Sequence, residues 1–363
     1  RRWRVIRDVK FFPKGDRLVA VGVDGTAIIC EVRSGRVLRI LRHGADLFDV
    51  HVFPAGDRVV TLGTDGSARV WGADSGETLL QIPVGRQHRV VRVVAGGRRL
   101  VTGVSAANGD APSLWDVADG RELRRLWQPV YSATKLLQLS PCGAVLVTVC
   151  AERAFVWDAA DGRFERLLPL PPLDRPASVA ISEGGGTVVA AAQSRVFACH
   201  ADAANACAQL PIFGSHVTVA LLAGGDRLAV FTSSSASIWD LRSGRRLRSL
   251  LGHAGIAGSS LEPRHMSVSH SRHVVAACGR RAAADGAVQW AAAWDATTGR
   301  VLQKAEARER WRSASWSPWP CRVAVGPEPS MEDAVGALTL REAPIVIRAA
   351  PRIGPRAAVS PAV

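Results

Sequence analysis

A chain of 363 residues that is 47% hydrophobic can bury a large core, and its formal net charge of +14 keeps it far from neutrality. No positively charged start runs into an apolar stretch, and no apolar run approaches the ~18 residues of a membrane helix, so neither a secretory leader nor a membrane span is expected. Seven cysteines without a C-x-x-C pair argue against a zinc site and against a disulfide framework, and point to an intracellular, reducing compartment, cytoplasmic or nuclear.

Of the 46 basic residues only Lys10, Lys14, Lys135 and Lys304 are lysine. That skew, with abundant Ala and Gly, reads either as the imprint of a GC-rich genome or as a functional basic surface. The chain begins at Arg1 and not at Met, from which we expect a piece of a longer protein.

In chain order, one unit recurs. An apolar strand (Val9–Phe12, Leu47–Phe53, Leu136–Leu139) leads to a turn with Pro or Gly. A second apolar strand follows: Arg17–Gly22, Arg58–Leu62, Arg99–Gly103, Ala144–Cys150, Thr187–Ala192, Arg227–Phe231. The Asp24-Gly25 and Asp65-Gly66 dipeptides are hairpin signals that open a third strand. That strand ends in Trp, commonly followed by Asp, then a Ser/Asp-Gly turn: Trp71, Trp115-Asp116, Trp157-Asp158, Trp239-Asp240 and Trp294-Asp295. A fourth strand has the shape Gly-Arg-x-Leu-Arg-x-Leu, as in Gly35–Leu41. Its arginines are expected on exposed sheet edges, where charge blocks edge-to-edge pairing.

The Trp position or its substitute falls at Cys30, Trp71, Trp115, Trp157, Cys199, Trp239, Trp294 and Leu340, in steps of 41, 44, 42, 42, 40, 55 and 46 residues. A fixed period of this size is the mark of four-stranded repeat units. The 55-residue step is read as insertions at Gly252–Arg264 and Gly279–Gly286. The last unit is read as strands at Ser313–Ser317, Arg322–Val325, Ala337–Arg341 and Ile345–Arg348.

These phrases resemble the WD-repeat β-propeller family. The resemblance implies an all-β fold, a β-propeller of four-stranded antiparallel blades, with eight blades favoured and seven the alternative. Residues 1–349 then form one propeller and 350–363 a Pro/Ala/Arg-rich tail that does not pack. It also implies a buried tetrad of His, Ser/Thr, Asp and Trp, which the second unit carries in full as His43, Thr61, Asp65 and Trp71. The third keeps Thr102, Asp110 and Trp115 without a matching His. A His, an Asp and a hydroxyl could also be written as a catalytic triad, but a buried indole N–H and hydroxyl need partners, which favours the structural role.

No nucleotide loop, H-E-x-x-H or G-x-S-x-G motif is present, so no catalytic residue, cofactor or metal is assigned. The cluster His265, His270 and His273 lacks carboxylate or Cys neighbours and is a weak metal candidate. The loops entering each unit should converge on one face. They carry Arg42; Arg86, His88 and Arg89; Trp127 and Tyr131; Arg175; His216; His253; and Arg308, Arg310, Trp311 and Arg312. Arg and aromatic side chains are the anchors of protein interfaces.

The expected function is therefore a non-enzymatic scaffold presenting this face to a protein or peptide partner, without membrane insertion. Nucleic-acid binding through the Arg-rich rim is the alternative. A third reading, a quinoprotein-like propeller enzyme, rests on Asp295–Arg300 but lacks the family's Trp after the Gly and any metal-ligand set.

Overall fold

The structure is a computed structural model that describes residues 6–32, 34–104, 111–127, 134, 136–150, 153–170, 176–192, 195–200, 207–212, 215, 217–222, 224–233, 235–250, 261–269, 274–283, 286–307, 310–316, 322–328 and 345–348. These residues are almost entirely strand. The first sheet comprises β1 (Ile6–Phe11), β2 (Arg17–Gly22), β3 (Thr26–Glu31) and β4 (Val37–Arg42). The second comprises β5 (Leu47–Val52), β6 (Arg58–Gly63), β7 (Ser67–Gly72) and β8 (Thr78–Pro83). The third holds β9 (His88–Val94), β10 (Arg99–Val104), β11 (Ser113–Asp116) and β12 (Glu122–Arg125), and the fourth β13 (Leu136–Leu139), β14 (Val145–Val149), β15 (Arg153–Asp158) and β16 (Phe164–Pro169).

The fifth sheet is β17 (Pro176–Ile181), β18 (Thr187–Ala192), β19 (Arg195–His200) and β20 (Cys207–Leu210). The sixth is β21 (Thr218–Leu221), β22 (Arg227–Phe231), β23 (Ala236–Asp240) and β24 (Arg245–Ser249). The seventh is β25 (Leu261–Ser269), β26 (Val274–Ala283), β27 (Gly286–Asp295) and β28 (Val301–Ala307). The eighth shows three strands among the described residues: β29 (Arg310–Trp316), β30 (Arg322–Glu328) and β31 (Ile345–Arg348).

Every sheet is an antiparallel meander in which each strand pairs with the next. Second strands read as continuous apolar runs because both their faces are covered. In β2, Leu18 and Ala20 join a cluster with Val9 and Cys30, while Val19 and Val21 join another with Leu47 and Trp71 of the next sheet. Apolar clusters of the same kind bind each of the first six sheets to its successor. The eighth closes the sequence of contacts: β29 packs on β25 and, on its other side, on β1, which also meets β30. The whole is a propeller-like array of repeated β-sheets.

Fourth strands are the outer edges. Four of the six residues of β4 and all five of β24 are exposed, and the apolar exceptions are positions such as Leu41 that reach back into the core. The Asp-Gly hairpins form as expected, with Gly25 and Gly66 in the left-handed region at φ +73° and +81°.

Two expectations are corrected and one is located. The extra length expected at Gly279–Gly286 is carried by strands, since β26 and β27 run ten residues each with Ala283 paired to Gly286. Leu261–Arg264 likewise belongs to β25 and not to a loop insertion. In the last unit Ile345–Arg348 pairs directly with β30, the place that third strands hold elsewhere. The expected Trp substitute Leu340, the strand at 337–341 and the 350–363 tail lie outside the described residues.

The cysteine expectation also changes. Cys199 is core, at 1% exposure, but its sulfur is bonded to that of Cys207. The reason is register: the two residues are direct partners across β19 and β20. Cys30 and Cys150 are buried and Cys142 is exposed, none of them joined in a disulfide.

Candidate functional site

The second sheet holds the most complete polar network. The loop from β4 turns back so that His43 N–H donates to the Gly25 carbonyl at 2.8 Å, which drops the imidazole behind β6 and β7. There Nδ1 lies 2.8 Å from Thr61 Oγ1, and Trp71 Nε1–H donates to the same oxygen at 2.8 Å. Indole can only donate, so Thr61 accepts from it and spends its single hydrogen on Nδ1. The proton of the ring therefore sits on Nε2, which faces Asp65 Oδ1 at 3.2 Å and Ser67 Oγ at 3.1 Å. Burial lowers the His43 pKa against the pull of Asp65, so the imidazole is neutral. Burial alone would raise Asp65, but donation from the Ser67 N–H and hydroxyl and the nearby His43 outweigh it and hold the carboxylate low.

Two residues of this network escaped the tetrad pattern. Ser67 bonds both Asp65 oxygens, at 3.0 and 2.9 Å. Gly63 makes room, because a Cβ there would lie 2.4 Å from His43 Nε2. Every hydrogen is committed and His43 is 1% exposed, which suits a structural network. In the third sheet Trp115 Nε1 still donates to Thr102 Oγ1 at 2.8 Å, and in the fourth Trp157 does so to Thr148 at 2.9 Å. Asp110 lies outside the described residues.

A second polar group lies deeper, on the first strands of three consecutive sheets. Lys10 bridges Asp8 at 3.0 Å, and Arg92 bridges Asp49 at 2.6 Å. Asp49 also accepts from the backbone N–H of Val91 in the next sheet at 2.9 Å, clasping the two sheets together. Burial raises Asp8 to about 6, with Lys10 opposing and the Asp49 carboxylate adding to the rise. Burial would raise Asp49 as well, but Arg92 and Lys10 outweigh it and hold it low. Burial and the same two cations push His51 down to about 3. This group was missed because Asp8, Lys10, Asp49, His51 and Arg92 sit at alternate positions of short strands, a pattern shared by any half-exposed strand; only the stacking of sheets brings them together.

The expected partner face is partly assembled. Loops leaving β4, β8 and β12 all precede a first strand, so Arg42, Arg86 and Trp127 come to one end of the array. Arg42 and Arg86 are exposed, and Trp127 is 69% exposed. His88 is corrected: it is the first residue of β9 and 4% exposed, so it belongs to the sheet interior. Arg310, Trp311 and Arg312 are corrected as loop residues, since β29 already includes them and Arg310 and Trp311 pair with Glu328 and Pro327. Tyr131, Arg175, His216, His253 and Arg308 lie outside the described residues, as do His270 and His273. Among the described residues no cluster of three His, Cys, Asp or Glu side chains could hold a metal, and no helix is long and apolar enough to cross a membrane.

At this same end a β-bulge recurs. In β1 the pairing jumps from Ile6 to Asp8, in β5 from Leu47 to Asp49 and in β9 from Val90 to His88, leaving Arg7, Phe48 and Arg89 unpaired. The jump repeats in β17, β25 and β29, leaving Ala177, Arg264 and Arg312. The Arg7 and Arg89 guanidinium carbons lie 5.3 and 4.1 Å from the centre of the Phe48 ring.

A cleft of about 230 Å³ opens between the second and third sheets, bordered by Val84, Gln87, His88, Ser113, Trp115 and Glu122. Within it Glu122 Oε1 accepts from Ser113 Oγ and Arg125 Nε, each at 2.9 Å.

No protein-family model and no curated protein matches the chain. Among solved structures it is similar to a crystal structure of the computationally designed Ika8 protein, with 19% identity and a TM-score of 0.68 over 90% of this chain and 94% of that one. At that identity the likeness speaks for the fold alone.

Proposed function

We propose that the chain is a WD-repeat-type β-propeller of eight blades that works, without catalysis, as a scaffold displaying one face to a protein or peptide partner. Support for the closed ring comes from the contact of β1 with β29, which leaves neither end of the array unpartnered. Support for the scaffold role comes chiefly from Trp127, a large indole left 69% exposed at the end where Arg42 and Arg86 are also exposed. An indole beside guanidiniums is the composition of interface hot spots. The closed hydrogen bonding of the His43 network favours the non-enzymatic reading over a triad.

The test compares capture of cellular proteins by the wild-type chain and by Trp127→Ala, with crosslinks mapped on whatever is retained. A partner that crosslinks near Trp127 and is lost from the variant supports the reading. Crosslinks confined to the outer strands β4, β8 and β24 would place the interface elsewhere and end it. An intracellular setting is part of the proposal and requires Cys199 and Cys207 to be reduced there.

A further inference from the structure

We propose that the bulged residues of the first strands form a binding rim for phosphate-bearing acidic peptides, centred on Arg7, Phe48 and Arg89. The proposal rests on the interaction-scaffold reading and names the partner's chemistry. Its first support is position. Strands β25, β29, β1, β5 and β9 are neighbours in that order. Each carries one extra residue at the same place in its pairing, and those residues are Arg264, Arg312, Arg7, Phe48 and Arg89. Bulges re-aim a residue out of the ladder and recur where sheets meet ligands. Here four of five consecutive bulges carry the same cation.

The second support is charge balance. One step deeper, Lys10 and Arg92 are each paired with a carboxylate, Asp8 and Asp49. At the rim, neither Arg7 nor Arg89 has an acidic partner among the described residues. Arg89 finds only the backbone carbonyls of Arg86 and His88, and Arg7 Nε is buried without a hydrogen-bond acceptor. Both guanidiniums are steadied against one ring, Phe48, which keeps two like charges close and lowers the entropy lost when they engage a ligand. A planar fork of N–H donors is matched by phosphate or carboxylate oxygens.

The local geometry favours a peptide over a nucleic acid. Some arginines outside the rim are paired, Arg17 with Asp74, Arg99 with Asp116 and Arg125 with Glu122, while Arg245, Arg246 and Arg248 of the outer strand β24 are exposed. Arg7 and Arg89 are instead gathered on one phenyl ring, a compact pair of forks suited to a single phosphate group and not a track for a polynucleotide backbone. Trp127, at the same end, provides an apolar contact that a peptide side chain can use.

The experiment measures fluorescence anisotropy of a short acidic peptide carrying two phosphoserines, its unphosphorylated twin and a single-stranded oligonucleotide, each titrated with the full chain. We expect the phosphopeptide to bind best, and Arg7→Gln with Arg89→Gln to weaken it by about a hundredfold, tenfold for each charged hydrogen-bonding group removed, without change in melting temperature. Lysine at both positions should restore only part of the loss, since it keeps charge but not the fork. Equal binding of the two peptides, unchanged binding by the double variant, or preferential binding of the oligonucleotide would each overturn the proposal. If the phosphopeptide fails while Trp127-dependent protein capture persists, this inference falls and the scaffold reading stands; if both fail, the scaffold reading falls with it.

Discussion

Replacing Thr61 with Val isolates what the second-sheet network contributes. Valine keeps the volume of threonine and removes only the hydroxyl, which is 0% exposed. Two buried groups then lose their partner: the Trp71 indole N–H and the His43 Nδ1, both 2.8 Å from Thr61 Oγ1. A buried polar group left unsatisfied costs about 1–3 kcal/mol, so the pair should cost about 2–6 kcal/mol. The internal control is Thr102→Val, which strands only the Trp115 indole and should cost about 1–3 kcal/mol. A chain of eight sheets need not unfold in one step, so denaturant unfolding followed by tryptophan emission should be read beside amide exchange in β5–β8. Partner binding below the transition should be unaffected. A Thr61→Val loss no greater than that of Thr102→Val would show that His43 does not depend on the hydroxyl. Intact stability with lost binding would make the network a functional site.

Ala277→Ser should place a hydroxyl where Trp294 Nε1 is buried without an acceptor, raising stability by about 1 kcal/mol; an unchanged or lower denaturant midpoint would refute it. Asp8, raised to about 6 by burial, holds its proton more tightly folded than unfolded, so its favourable contribution is present below the ordinary carboxylate range and lost as pH rises through about 6. Asp8→Asn should therefore flatten the fall in melting temperature across that window, and a profile parallel to wild type would refute the assignment. Removing one partner of the half-buried Asp49–Arg92 pair by Asp49→Ala should cost about 2–3 kcal/mol, read by thermal melting, because Arg92 loses its carboxylate and the clasp to Val91 is lost. Thiol titration of chain unfolded without reductant should find two fewer reactive cysteines than after reduction if Cys199 and Cys207 are bonded as in the structure.

Element order was legible in the sequence because the units repeat: the Asp-Gly hairpins, the strand ending in Trp and the Pro/Gly turns each fix a local geometry that needs no distant partner. The His43 network was legible for the same reason, all its members lying within one unit. What depended on neighbouring sheets was not. The Asp8–Asp49–Arg92 group is assembled from three sheets, and the bulges that expel Arg7, Phe48 and Arg89 show only in the pairing register. Gly279–Gly286 was read as an insertion because its length breaks the period, and that extra length lies in paired strands, with Ala283 opposite Gly286.

The divergence among the units follows from one rule of hydrogen bonding. Pairing aligns one second-strand position with the residue two before the third-strand Trp: Thr61 opposite Arg69, Thr102 opposite Ser113 and Thr148 opposite Phe155. In these three sheets the third strand carries Trp71, Trp115 and Trp157, and each indole donates to its threonine. Where the third strand carries Cys30 or Cys199 there is no indole to satisfy, and the aligned residues are Ala20 and Ala190. In the sixth sheet the aligned residue is Val230, and Trp239 instead reaches Ser237 on its own strand at 2.8 Å. Among the described residues the seventh sheet breaks the rule: Ala277, opposite Ala292, holds the aligned position and the Trp294 donor is unmet. A second-strand hydroxyl thus meets the indole in three sheets and is absent in the two whose third strand lacks Trp, so a unit can shed its Trp and Thr together and keep its place in the array. That is why the apolar rhythm persists in sheets where the polar signature is gone.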